Sequence, residues 1–106
     1  MKRVFKVARY FFDIFAKKLT LDEVFPTEYN THDEAYEVME NNIIDDSYED
    51  GDPSEIIKVY LITEEVTLLN HTEIVGKGMF VGTCCGAYSQ PLTDYCKSAK
   101  IHLTFI

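Results

Sequence analysis

Three cysteines and three histidines are the residues in this chain whose types could do chemistry. Cys84 and Cys85 are adjacent, Cys96 follows eleven residues later, and His71 and His102 lie on either side. Gly82-Thr83-Cys84-Cys85-Gly86 is a small-residue turn in which backbone N–H groups could gather round a thiolate, with His71 or His102 as base. A cysteine-dependent enzyme built on Cys84 or Cys85 is therefore one reading. The spacing does not select it, because many short chains with these residue types would permit the same arrangement. Adjacent cysteines cannot readily both ligate one zinc, and no C-x-x-C is present. The odd cysteine count argues against a disulfide framework. Buried free thiols are the default expectation.

Other chemistries lack their signatures. There is no G-x-S-x-G elbow, no G-x-G-x-x-G turn and no Walker-type phosphate loop. Carboxylates are abundant, but they crowd into one hydrophilic stretch, whereas an acid/base pair is tuned by burial. With Gly51 at the sixth position of a calcium loop, Asp46, Tyr48 and Asp50 occupy positions one, three and five, and Ile57 stands where a bidentate Glu is needed. Two ligand positions fail. The expectation is no metal and no cofactor.

The chain's dominant feature is the stretch from Asp22 to Glu55, with thirteen carboxylates and no Lys or Arg. Residues 1–18 carry six Lys/Arg against one Asp, so the net charge of −8 is unevenly spread. An acidic surface repels nucleic acid and anionic lipid, so direct nucleic-acid or membrane binding is disfavoured and a basic protein partner is favoured. Lys6, Arg9 and Asp13 interrupt any apolar leader near the N-terminus, and no run approaches a membrane span. The expected location is cytoplasmic. The Asn70-His71-Thr72 sequon then has no use.

These residues must be positioned by elements that the pattern predicts. Thr31-His32-Asp33-Glu34 is a capping box, and Ala35, Val38, Met39 and Ile43 form one apolar stripe behind it. A helix from about His32 to Ile44 follows, with Glu37, Glu40 and Asn41 facing outward. Asp45 to Ser54 reads as an acidic loop. Lys2 to Lys18 has helical periodicity, with Phe11 and Phe15 on the apolar side and the bases opposite, but β-branched and aromatic composition. The latter favours a hairpin, about residues 3–14 with 19–25. Ile56–Thr63 is the strongest strand, bounded by Glu64-Glu65, with Val66–Leu69 either continuing it past a bulge or opening the next strand, and Ile101–Ile106 alternates as a terminal strand. At 106 residues the chain makes one domain. The fold expected is α+β: a mostly antiparallel sheet packed against one main helix, with a second short helix near 91–99.

The carboxylates of the helix face, Glu37 and Glu40, continue through Asp45, Asp46, Glu49, Asp50 and Asp52 and are punctuated by Tyr36 and Tyr48. Spaced negative charge with aromatic contacts suits a basic groove. In this general character the chain resembles small acidic inhibitors of phages and mobile elements, of the anti-CRISPR and anti-restriction type. That resemblance implies a non-enzymatic inhibitor acting as a nucleic-acid mimic. Its partner-binding residues would be Glu37, Glu40, Asp45, Asp46, Tyr48, Glu49, Asp50 and Asp52, set against the basic surface of a nucleic-acid-binding complex. A small adaptor that binds a basic protein without mimicry, and the thiol enzyme above, are the alternatives.

Overall fold

A computed structural model of the chain describes residues 2–49, 56–82 and 90–106, with the side chains of the first helix described as far as Ile43. Five strands and two helices follow in the order β1 (Lys2–Asp13), β2 (Lys18–Val24), α1 (His32–Glu49), β3 (Ile56–Leu68), β4 (His71–Val81), α2 (Gln90–Ala99) and β5 (His102–Phe105). They form one sheet of order β2-β1-β3-β4-β5. β1 pairs antiparallel with β2 and β3, β3 antiparallel with β4, and β4 parallel with β5.

This corrects the architecture expected from sequence. The sheet is mixed, and it is covered by a helix on each face. On one face Ala35, Met39 and Ile43 of α1 pack against Phe5, Val7, Tyr60, Ile62 and Phe80. On the other, Leu92 and Cys96 of α2 pack against Phe12, Ile57, Val59, Leu61, Met79 and Val81. The reason lies in connection geometry. Parallel strands need a crossover, and here α1 joins β2 to β3 and α2 joins β4 to β5. Both crossovers advance the same way across the sheet, but from strands that run in opposite directions. Crossovers of one hand must then lie on opposite faces.

The first hairpin turns through residues 14–17. Asp13 Oδ1 accepts from the N–H groups of Phe15 and Ala16 at 2.9 Å, and Lys17 takes the left-handed φ of 53°. β1 follows strand period, so Phe12 lies on the face that α2 covers while Phe5 and Val7 lie on the face of α1. Pro91 stands in the first turn of α2, where its missing N–H costs nothing. That helix closes at Lys100, whose φ is 59°, with Ile101 N–H donating to the Cys96 carbonyl at 2.9 Å.

One boundary also differs from expectation, and an open alternative is decided. α1 runs through Asp45-Asp46-Ser47-Tyr48-Glu49, where the sequence suggested a loop. Charge by itself does not stop a helix, and the first residues that do are Gly51 and Pro53. β3 continues through Glu64 and Glu65 because each meets a base from β1: Arg3 Nε lies 3.6 Å from Glu64, and Lys6 Nζ lies 2.8 Å from Glu65. Cross-strand partners turn an apparent strand end into part of the ladder.

Candidate functional site

The exposed side of α1 is set in place by its first two turns. Thr31 Oγ1 accepts from the Glu34 N–H at 3.2 Å, and the Glu34 carboxylate reaches back to the Asn30 N–H at 3.4 Å. The reciprocal bond thus falls one residue before the expected capping-box donor. The His32 ring meets Phe5 edge-on at 5.9 Å, and Tyr36 meets Phe80 edge-on at 5.6 Å. With Ala35 and Met39 fully buried beneath, the helix is held by packing, since its own charges oppose it.

Asp33, Glu34 and Glu37 are exposed on this helix, and Glu40 is half-buried. The Tyr36 hydroxyl donates to Glu40; burial, then the neighbouring Glu40 charge and this bond, raise the phenol above its ordinary range. Asp33, Glu37 and Glu40 form no ion pair among the described residues. Asp45, Asp46, Tyr48 and Glu49 lie on the last turns of the same helix. Their side chains, and all of Asp50 and Asp52, fall outside the described residues.

Three of the six N-terminal bases are occupied elsewhere. Besides the Arg3 and Lys6 pairs, Arg9 Nε donates to Asp22 at 2.6 Å and Arg9 Nη2 to Glu23 at 3.0 Å. Burial works against the Arg9 charge, but hydrogen bonds to Tyr60 and Asp22 outweigh it and hold the guanidinium pKa above its usual value. The acidic stretch therefore divides. Asp22 and Glu23 are neutralised on β2, whereas Asp33, Glu37 and Glu40 of α1 form no ion pair among the described residues. Sequence reasoning missed this division because it depends on the register that sets Arg9 opposite Glu23.

The thiol chemistry has less to stand on. Cys84 and Cys85 lie outside the described residues. Cys96 is buried, its thiol donates to Met79 Sδ at 3.5 Å, and burial pushes its pKa up from the ordinary 9.0. It lies on the sheet-facing side of α2, while His102 pairs with Gly78 on the α1 face, so the sheet separates them. His71 is engaged with Glu73 at 3.0 Å. Cys96 should accordingly resist iodoacetamide at neutral pH in the native state and react only on unfolding. Peptide mapping after timed labelling checks this, and fast native modification of Cys96 would contradict the burial. The raised thiol pKa adds a pH effect: its share of stability is complete below the unfolded-state value of 9.0 and lost as pH rises through the folded-state value. Wild type should lose more stability than Cys96→Ala as pH climbs through that window.

Among the described residues no three His, Cys, Asp or Glu side chains gather as metal ligands, and no helix is long and apolar enough to cross a membrane. Comparison with protein-family models, with curated proteins and with solved structures finds no match, so the reading of function begins from this surface.

Proposed function

We propose that this chain is a non-enzymatic acidic interaction protein, an inhibitor that occupies a basic surface its partner otherwise offers to nucleic acid. One observation carries the reading. Arg3, Lys6 and Arg9 are each paired with carboxylates of the sheet, which leaves the negative face of α1 without countercharge from these bases. A packed helix presents those charges at fixed spacing, so a groove shaped for phosphates could meet them without first ordering them. The resemblance to anti-CRISPR and anti-restriction inhibitors points the same way. Glu37, Glu40, Asp45, Asp46, Tyr48 and Glu49 would make the contact, with Asp50 and Asp52 extending it.

Displacement of fluorescent duplex DNA from a panel of basic nucleic-acid-binding proteins tests this. The wild-type chain should displace DNA from at least one, and less well as ionic strength rises. Changing Glu37, Glu40 and Glu49 to Gln and Asp45 and Asp46 to Asn should weaken that effect roughly ten- to fiftyfold, mainly through slower association, at a few tenths of a kcal/mol per charge. Gln is a good helix former, so circular dichroism should change little. Displacement from none of the panel, or displacement indifferent to both salt and these substitutions, would rule the proposal out.

A further inference from the structure

The sheet leaves part of one strand open. β5 pairs with β4 only over Gly78–Val81, so among the described residues His71–Lys77 has no strand on that side. Where β5 begins, at His102 opposite Gly78, a groove of about 400 Å³ opens on the α1 face. Phe5, Ile62 and Phe80 supply its apolar wall, and His32, Glu64 and His102 its polar rim. Its floor is backbone. A Cβ added at Gly78 would sit 3.2 Å from the Phe80 ring, so that glycine is already covered. A Cβ at Gly76 would meet nothing nearer than Glu64 Cβ at 3.8 Å, so that position is bare. Ile74 and Val75, each 53% exposed, carry apolar surface along the same edge.

Charge narrows what could fill it. Glu64 is paired with Arg3, and Glu73 shares a 3.0 Å hydrogen bond with His71. Lys77 forms no ion pair among the described residues, and by strand alternation with Gly76 and Gly78 its side chain lies on the opposite face of this edge from the groove, where the next residue of an added strand would point. The occupant should then bring a carboxylate.

We propose that the free edge of β4 at Val75–Lys77, together with this groove, docks an extended acidic peptide segment of a partner protein. The segment adds as a further strand in the line that β5 vacates. An apolar side chain sits over Gly76, and a neighbouring Asp or Glu meets Lys77. Main-chain bonds to the edge supply affinity, and the groove supplies selection. This surface is separate from the outer face of α1 and does not rest on its role.

A phage-displayed library of random linear peptides, selected on the wild-type chain and counter-selected on Gly76→Trp, tests the proposal. Enriched peptides should alternate apolar residues and contain Asp or Glu. A synthetic copy should bind wild type at least about tenfold more tightly than it binds Gly76→Trp or Lys77→Glu, and N-methylation of its alternate amides should cost a similar factor. On wild type, which needs no altered fold, the amide NMR signals of Gly76, Lys77, Gly78 and His102 should move. The proposal is overturned by failure to enrich any peptide that prefers wild type, by indifference to N-methylation, by shifts confined to Glu37 and Glu40, or by wild type dimerising through this edge in the absence of peptide.

Discussion

Replacing Phe12 by alanine is expected to remove about 3–5 kcal/mol of stability, the cost of deleting a large aromatic side chain and leaving its cavity. Phe12 is fully buried, packs among the residues beneath α2, and holds its ring centroid 5.5 Å from that of Tyr95. A domain of this size has about 5–15 kcal/mol in total, so thermal unfolding monitored by circular dichroism should show a midpoint lowered by roughly 15–30 °C. Phe15, 75% exposed at the hairpin turn, is the control, and Phe15→Ala should stay within about 0.5 kcal/mol of wild type. The contrast discriminates between two foldings of the same segment. A helix over residues 2–18 would gather Phe11 and Phe15 on its buried side, whereas strand period buries Phe12 and releases Phe15. Similar losses from Phe12→Ala and Phe15→Ala would contradict the β1–β2 hairpin.

That contrast also marks what the residues themselves disclose. The Thr31 cap, the stripe of Ala35, Met39 and Ile43, and the β-rich composition of Ile56–Thr63 act over a few neighbours, and such local signals are visible in one dimension. Glu64 and Glu65 are different. In the chain they allow either a strand end or a bulged continuation, and only pairing with β1 supplies Arg3 and Lys6 to decide for the continuation. The parallel placement of β5, and with it the second covered face, depends on which way a crossover travels; no residue within Ile101–Ile106 encodes that alone. The candidate site divides in the same way. The exposed acids of α1 follow from helical period, while the removal of Asp22 and Glu23 from that surface, and the groove beside Gly76, come from strands that meet across long separations.

Arg9→Leu should cost about 2–3 kcal/mol, the range for losing charge-assisted hydrogen bonds in a partly dry site. The Arg9 side chain is 22% exposed and Asp22 26%, so their 2.6 Å contact carries most of this, whereas Glu23, at 54%, is screened by solvent and adds little. Without the guanidinium, Asp22 keeps a negative charge beside Glu23 with no countercharge, and Tyr60 loses the hydrogen bond it shares with Arg9. Urea denaturation of Arg9→Leu, Asp22→Asn and the double variant should therefore give a cycle in which Asp22→Asn costs less when Arg9→Leu is already present than in wild type. Additive losses would mean that the pair is not coupled. The same variant separates two sources of partner binding. Freeing Asp22 and Glu23 makes the molecule more negative but leaves α1 unchanged, so an interaction governed by net charge should strengthen, and one read from the helix face should hold its affinity. Measured under conditions where the variant stays folded, unchanged displacement of DNA from a partner would assign recognition to α1, and a gain would assign it to the charge of the whole body.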